Sequence, residues 1–307
     1  MSLLMPEVKH IYQNHHLDST RWDDYIPRSD DIIIATSMKS GTTWMQTIVM
    51  HLIFQDLQPR LIGDFSPWID FRPPPRGERI KLIEAQTHRR FIKTHLPLDG
   101  LPYFPQVKYI VVGRDIRDLC MSMWNHYGNY TAEMYQRFNE TPGRVGAPCP
   151  PCPETVNEFW RDLMTRGWFD WESEGYPFWS VVRYIQTWWD FRHLDNILFV
   201  HFNNLLQNLE EEIQRIADYL NIDVKKDFLP QIANAVTFST VKKNAEQYEG
   251  GMEAVMKGGA QTFIHKGTNG RWRDVLTNDD LKLYEDAITR ELSPECARWL
   301  ETGILTD

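Results

Sequence analysis

Short apolar runs alternate with amphipathic stretches over most of the chain. Four runs rich in β-branched and aromatic residues predict buried strands, at residues 32–35, 90–92, 108–112 and 197–202. Apolar residues at helical spacing predict helices over residues 44–54, 116–126, 177–191 and 209–220; Asn208 and Glu211 have the spacing of a capping box before the last one. Strand and helix in repetition predict an α/β fold, with a parallel sheet flanked by helices on both faces.

Residues 128–176 are the least regular part of this pattern. They include four prolines between Pro142 and Pro151 and a group of tryptophans. We interpret them as an insertion of substrate loops within one domain that spans residues 1–307. Glycine pairs at 250–251 and 258–259 frame a second such stretch, for which a hinged lid and a plain surface loop are both open interpretations.

Charge and composition exclude several classes of function. The chain has 307 residues and a formal net charge of -9, so a nucleic-acid partner is not expected, and any anion site must be a local basic cluster. No run approaches the ~18 apolar residues that span a bilayer, and the first residues lack the apolar segment of a signal peptide. We therefore expect a cytoplasmic protein with no membrane partner.

Cys149 and Cys152 have the C-x-x-C spacing of zinc and redox sites. A zinc site would need two more ligands, and the sequence contains no second C-x-x-C. A thioredoxin-type pair would begin a helix after a strand, whereas these cysteines lie in a proline-rich stretch. We interpret the pair as two thiols of a surface loop in a reducing compartment.

Residues 36–44, TSMKSGTTW, directly follow the first predicted strand. A strand that turns tightly into a helix directs several backbone N–H groups and the positive end of the helix dipole at one spot. Lys39 adds a full charge, Gly41 allows close approach of the backbone, and Thr42 and Thr43 add hydroxyl donors. The segment therefore predicts a phosphate site, although it has neither the NTPase pattern G-x-x-x-x-G-K-[ST] nor the dinucleotide pattern G-x-G-x-x-G.

This segment resembles the phosphosulfate-binding loop of the cytosolic-type sulfotransferases, which use 3'-phosphoadenylyl sulfate (PAPS) as donor. Three more segments are similar to motifs of that family. They are FIKTHLP at 91–97, RDIRD at 114–118 with Ser122 following, and KGTNGRW at 266–272. The resemblance spans most of the chain and implies a P-loop NTPase-like fold with PAPS as co-substrate.

The resemblance also implies roles for individual residues. His95 would be the general base, and Lys39, Lys93 and Ser122 the other catalytic residues. Arg114, Ser122, Lys266 and Gly267 would hold the 3'-phosphate. The complete set of implied donor contacts is Lys39, Ser40, Gly41, Thr42, Thr43, Trp44, Arg114, Ser122, Phe202, Thr237, Phe238, His265, Lys266 and Gly267. We see no metal ligand set in the sequence and expect no metal requirement.

Three parts of the sequence depart from the family pattern. The run at 201–204 is HFNN where the family has F-Y-E-D, and His265 stands where it has the arginine of R-K-G. Because histidine titrates, we expect donor affinity to weaken as pH rises through the pKa of His265. The dimer motif K-x-x-x-T-V is matched only loosely at 273–278, which leaves the oligomeric state open.

Two other functions remain as alternatives, a P-loop kinase that acts on a small metabolite and a non-catalytic protein that binds PAP or PAPS. The missing Walker lysine argues against the first, and the presence of both Lys39 and His95 argues against the second.

The acceptor is expected to be a small aromatic or hydrophobic molecule with a hydroxyl or amine. This expectation rests on aromatic residues of the variable loops, which would equally suit loops that pack on themselves: Trp68, Phe71, Tyr127, Tyr130, Trp168 and Phe169.

Overall fold

A four-stranded parallel sheet organises the protein. The computed structural model describes residues 4–305, and the other residues of the predicted domain lie outside this described part. The strands are β1 (Ile32–Thr36), β2 (Phe91–Thr94), β3 (Lys108–Gly113) and β4 (Ile197–His201). Their spatial order is β2-β1-β3-β4, and every neighbouring pair is parallel. The four predicted strands and the parallel sheet are therefore confirmed.

Helices precede, connect and follow the strands. Three short 3-10 helices cover Ser19–Asp24, Leu98–Gly100 and Met252–Ala254. Within the described residues, no helix combines the length and the apolar character that a bilayer span requires. The α-helices are α1 (Thr42–Phe54), α2 (Ile62–Phe65), α3 (Glu78–Glu84), α4 (Ile116–Gly128), α5 (Ala132–Glu140), α6 (Val156–Thr165), α7 (Val182–Trp189), α8 (Phe202–Gln207), α9 (Leu209–Leu220), α10 (Leu229–Ala235), α11 (Phe238–Lys243), α12 (Ala245–Tyr248), α13 (Gly259–Phe263), α14 (Asn278–Glu291) and α15 (Pro294–Thr302).

The sheet separates two apolar cores. Successive side chains of a strand point to opposite faces, and β1 follows this rule. Ile33 and Ala35 pack in a core with α4, α6 and α7, whereas Ile32 and Ile34 pack in a second core with α1 and α9. Both faces of the sheet are thus covered, which explains why the strands read as continuous apolar runs.

Helix α7 begins five residues later than the apolar pattern predicts. The pattern starts the helix at Pro177, but its first residue is Val182. The buried carboxylate of Glu174 accepts hydrogen bonds from the backbone N–H groups of Val181, Val182 and Arg183, at 3.1 to 3.2 Å. Glu174 therefore caps the helix from the loop that precedes it, and Phe178 is buried in the core without being helical.

Two further expectations about local structure are wrong. Asn208 precedes α9, but its side chain makes no capping hydrogen bond, so the predicted capping box is absent. The segment 128–176 is also more regular than expected, since it contains α5 and α6. Thr131 caps α5, and Thr155 forms a capping box with Glu158 at the start of α6. The many prolines and aromatic residues of the segment obscured these two caps.

Gly113, the last residue of β3, packs tightly against helix α15. A Cβ atom added at Gly113 would lie 2.3 Å from the Trp299 ring, which is buried. We predict that Gly113→Ala lowers the free energy of unfolding by about 1–3 kcal/mol, the usual cost of overpacking a core. Urea unfolding measures the change. The matched control is Gly63→Ala, whose added Cβ would meet nothing within 4 Å, and equal stability of the two variants would contradict the prediction.

Candidate active site

One cavity of about 360 Å³ opens beside the carboxyl ends of the strands. The segments after the four strands all contribute to its wall, through Lys39, His95, Arg114 and Phe202. Ligand sites of open parallel sheets lie at this edge because all strands end there. The expectation that one crevice holds the turn after β1, the Lys93–His95 segment and Arg114 agrees with this arrangement.

The turn between β1 and α1 has the geometry of an anion cradle. Lys39 and Gly41 both have positive φ angles, of 64° and 106°. Gly41 is the N-cap residue of α1 and has no side chain to cap it, so N–H groups of the first helical turn remain free to bind an anion. A Cβ atom at Gly41 would lie 3.0 Å from the ring of Phe202. Glycine is therefore required at this position for both its conformation and its size.

The wall of the cavity is basic although the protein is acidic. Among the described residues, seven Lys and Arg side chains line it and one carboxylate does. Burial lowers the pKa of the Lys39 ammonium to about 8, and it also lowers the pKa of Lys93. Lys39 therefore stays mostly protonated at neutral pH but loses charge above pH 8, and an anion bound beside it would raise its pKa again. The cations are Lys39, Arg79, Lys93, Arg114, Arg137, Lys266 and Arg271.

Arg114 is fixed by neutral partners and not by a salt bridge. Its guanidinium donates to the carbonyl oxygens of Lys39 and Thr268, each at 3.1 Å, and to Oδ1 of Asn269 at 2.9 and 3.1 Å. Asn269 in turn donates to Oδ1 of Asn203 at 2.5 Å, so one amide of the atypical HFNN run helps to orient the arginine. Asp115 pairs with Arg117 instead. Among the described residues no carboxylate pairs directly with Arg114, although the charges of Asp118 and Asp115 act on it from further away.

Ser122 and the C-terminal motif meet at the same part of the wall. Ser122 lies on α4 and lines the cavity together with Lys266 and Gly267. The carboxylate of Asp118, one turn earlier on α4, accepts hydrogen bonds from the backbone N–H groups of Gly270 and Arg271, at 2.6 and 3.3 Å. Asp118 therefore fastens the 266–271 loop to α4, beside Arg114.

The imidazole of His95 is neutral and has a defined tautomer. Its Nδ1 lies 2.7 Å from the carbonyl oxygen of Thr36, which can only accept, so the hydrogen is on Nδ1 and Nε2 carries the lone pair. Burial, together with the nearby charges of Lys93 and Lys39, lowers the pKa of His95 to about 3. The ring lines the cavity and packs edge to face with Trp68. Nε2 is therefore unprotonated at neutral pH, but a pKa this low makes it a weaker base than an ordinary imidazole. An anion bound beside Lys39 and Lys93 would offset their charges and raise the pKa of His95 again.

Three aromatic rings also belong to the wall of the cavity. Trp44, Phe202 and Phe238 all line it, and the Trp44 indole donates to the carbonyl oxygen of Val236 at 2.7 Å. Phe202 also lies under the Arg114 guanidinium, at 4.2 Å from its ring centroid. Thr237 and Ser40, by contrast, do not line the cavity, and the Thr237 hydroxyl caps α11.

His265 lines the cavity, but it carries no charge at neutral pH. Burial and the neighbouring cations Arg271, Lys266, Lys242 and Lys39 lower its pKa to about 4. In the free protein His265 gains its positive charge only as the pH falls to about 4, and a bound anion would raise this pKa. The ring nitrogen Nδ1 is buried without a hydrogen-bond partner.

Comparisons with known proteins agree on one family. The model of the sulfotransferase domain matches residues 29–294. This protein belongs to the sulfotransferase family. A curated relative named glycolipid sulfotransferase, from Mycobacterium bovis, is 29% identical over 309 residues, which cover 95% of this chain and 94% of the relative. Sulfotransferase 1A1 from Rattus norvegicus is 27% identical over 257 residues, with 81% and 79% coverage.

Solved structures share the fold of this sulfotransferase. Mouse sulfotransferase SULT7A1, complexed with PAP, superposes with a TM-score of 0.69 at 22% identity and covers 92% of both chains. Retinol dehydratase, in complex with androsterone and inactive cofactor PAP, gives a TM-score of 0.66 at 22% identity, with coverage of 90% of this chain and 84% of that one. The P-loop-like α/β fold that the sequence predicts is therefore confirmed.

The other side of the sulfotransferase cavity is apolar. Trp68, Phe71 and Tyr130 line it as predicted, and Phe138 and His16 join them. The remaining predicted aromatic residues lie elsewhere. Tyr127 donates its hydroxyl to the carbonyl of Pro150, Trp168 stacks on Tyr176, and Phe169 stacks on Trp171. The alternative that loops pack on themselves thus applies to these three rings.

Glu249 is a site residue that the sequence analysis missed. Its Oε1 accepts a hydrogen bond from the Thr43 hydroxyl at 2.8 Å, and it interacts electrostatically with Lys93 and Lys39. Burial raises its pKa, while these partners oppose the rise. A glutamate beside a glycine pair carries no pattern that would reveal this contact, which joins residues 206 positions apart.

We predict that Glu249→Gln strengthens the binding of PAP about tenfold. A carboxylate at the cradle repels a phosphate and occupies the Thr43 hydroxyl, whereas an amide removes the charge and can also donate a hydrogen bond. Isothermal titration calorimetry measures the change.

Glu246→Gln is the matched control, because it makes the same charge change at an exposed position of α12, one turn before Glu249, and should leave the affinity unchanged. Weaker binding by the Glu249 variant alone would contradict the prediction and assign Glu249 a supporting role in ligand binding.

Proposed function

We propose that this sulfotransferase transfers the sulfonate group from PAPS to a hydroxyl or amine of a small aromatic or hydrophobic acceptor, with His95 as general base. One observation carries the proposal. The cradle after β1, the Arg114–Ser122 pair and the neutral imidazole of His95 all face one cavity. These groups supply two anion sites and a base within a single ligand-sized space.

The two anion sites match the two ends of a 3',5'-bisphosphate. The cradle with Lys39 and Thr43 would hold the 5'-phosphosulfate, and Arg114, Ser122 and Lys266 would hold the 3'-phosphate. An arginine fork and a hydroxyl suit a phosphate monoester. Trp44, Phe202 and Phe238, which line the same cavity, would pack against the adenine, since stacking needs only the ring faces. A nucleoside diphosphate would leave the second anion site without a ligand.

The reaction would be an in-line displacement at sulfur. Nε2 of His95 accepts the proton of the acceptor as its oxygen or nitrogen forms a bond to sulfur. The bond between sulfur and the bridging oxygen breaks, and its electron pair leaves with the 5'-phosphate of PAP. Lys39 and Lys93, whose ammonium groups are buried beside the cavity, would stabilise the charge that develops on that phosphate. Positioning and electrostatics supply most of the catalysis in such a transfer.

The apolar part of the cavity supports a hydrophobic acceptor. Trp68, Phe71, Tyr130 and Phe138 surround the space on the His95 side. The mycobacterial relative is named for a glycolipid, so an acceptor screen should include glycolipids beside phenols, alcohols and amines.

The donor site is tested with ligands that differ in one phosphate. We predict that PAP raises the thermal stability of the protein more than AMP does, and that ADP with magnesium gives no comparable shift. At a hundred times its Kd, PAP should stabilise the folded state by about 2.7 kcal/mol. Ser122→Ala should weaken PAP about tenfold without changing the affinity for AMP, because only PAP carries the 3'-phosphate.

Ser29→Ala, at an exposed serine, serves as the control for the Ser122 variant. A shift with magnesium ADP and none with PAP would overturn the proposal in favour of a kinase.

The role of His95 is tested by separating transfer from binding. We predict that His95→Ala lowers kcat for sulfonate transfer from PAPS by about 10²–10⁴-fold, the usual contribution of a general base, while PAP binding changes little. His193→Ala replaces an exposed histidine and should leave both quantities unchanged. Full binding of PAPS by the wild-type protein without turnover of any acceptor would instead favour a non-catalytic binding protein.

A further inference from the structure

Two adjacent histidines and a cysteine form a buried cluster that the proposed reaction does not use. His15, His16 and Cys149 are 0%, 1% and 4% exposed. One ligand atom from each residue lies within 4.8 Å of the other two. Cys149 belongs to the C-x-x-C motif whose zinc interpretation lacked two ligands in the sequence. The fold supplies two imidazoles from a segment more than a hundred residues away, so that with Cys149 alone the cluster offers three protein ligands and leaves the fourth position of a tetrahedral ion to water.

The outer nitrogens of both imidazoles already have hydrogen-bond partners. His15 Nε2 lies 2.8 Å from the carbonyl oxygen of Pro177, which can only accept, so His15 carries its hydrogen there and has a lone pair on Nδ1. His16 Nε2 lies 3.2 Å from the hydroxyl of Tyr130. Metal-binding histidines almost always anchor their second nitrogen in this way, which fixes the ring and leaves the other nitrogen to bind the ion.

The inner nitrogens face one another. Nδ1 of His15 and Nδ1 of His16 are 2.6 Å apart. Either a proton or a cation must lie between these atoms, because two lone pairs at that distance repel. Two nitrogens bound to a tetrahedral zinc ion at about 2.0 Å would be roughly 3.3 Å apart, so the rings need to separate by less than 1 Å to admit an ion.

The thiol of Cys149 favours an ion over a proton. Its hydrogen bond reaches the carbonyl of Pro150 at 3.7 Å, which is a long contact for a buried group. A bound metal ion deprotonates a coordinating thiol, and the thiolate then supplies the negative charge that two imidazoles lack.

We propose that His15, His16 and Cys149 bind a soft, thiophilic transition-metal ion, of which zinc is the divalent and copper(I) the monovalent representative. Two imidazoles and one thiolate are the ligands that such ions prefer. The site is structural and separate from the donor-binding cradle.

The ion would join two segments that form one wall of the acceptor side. His16 lines the cavity, and its ring packs on Phe138 at 3.6 Å between centroids. Buried Arg72 links the same two segments, since it donates to the carbonyl oxygens of His15 and Thr141. Metal binding would therefore stabilise the contact between the N-terminal segment and residues 128–176, whether or not the protein transfers sulfonate.

Metal content of the full-length protein, purified without chelator, is the first test. We expect about one zinc or copper ion per chain by elemental analysis, and the same measurement identifies which of the two it is. After removal of the ion, Co²⁺ should produce a thiolate charge-transfer band in the near ultraviolet and visible bands of a tetrahedral site. Absence of bound metal together with absence of these bands at millimolar Co²⁺ would overturn the proposal and assign a proton to the space between the histidines.

Variants separate this site from the neighbouring cysteine. Cys149→Ser should abolish the charge-transfer band and weaken Co²⁺ binding at least tenfold, whereas Cys152→Ser should retain both. Chelation should lower the Tm of the wild type, which loses a bound ion, but not the Tm of Cys149→Ser, which has none to lose. Because each protein is compared with itself, this test holds even if the variant is less stable than the wild type. His16→Gln provides a second variant that should lose the metal. Loss of the band in Cys152→Ser would show that the C-x-x-C pair binds the ion and would refute the three-residue site.

Discussion

Parallel pairing of the four strands is the constraint on which the rest of the molecule depends. Thr36 of β1 pairs with Val112 of β3, Ala35 of β1 with Thr94 of β2, and Gly113 of β3 with His201 of β4. This register makes the four strands end at the same edge. The segments that follow the four strands, although far apart in sequence, therefore begin side by side, and none of them would form the site alone.

The same edge concentrates positive charge in a protein whose net charge is -9. Burial lowers the pKa of Lys39 and Lys93, so the empty site holds its cations at an energetic cost that a bound anion relieves. Glu249 provides part of that relief when no ligand is present. Arg114 is different, because its direct hydrogen-bond partners are carbonyl and amide oxygens, while Asp118 and Asp115 act on its charge only from further away. The site is thus organised for an anion before the anion arrives.

Sequence reasoning succeeded where the structure is determined locally. The strands, α1, α4 and the turn around Gly41 could be predicted because apolar periodicity, a glycine and a lysine act over a few residues. It failed where a side chain outside the element decides the outcome. Glu174 sets the start of α7, and Thr43 fixes the position of Glu249 across 206 residues. The low pKa of His265 likewise depends on four cations that only the fold brings together.

The two sides of the cavity therefore differ in how firmly the fold defines them. The donor side is built on strand ends and on the first turns of α1 and α4, whose positions the sheet fixes. The apolar side takes His16, Trp68, Tyr130 and Phe138 from three separate segments. Backbone hydrogen bonds join the first two segments, and the Arg72 side chain joins them to the third by donating to the carbonyl oxygen of Thr141. A substitution on the basic side must preserve the geometry of the strand ends, whereas one among the rings of the apolar side must preserve their packing. Acceptor preference can consequently change while the donor site stays constant, which is why the identity of the acceptor follows least directly from the fold.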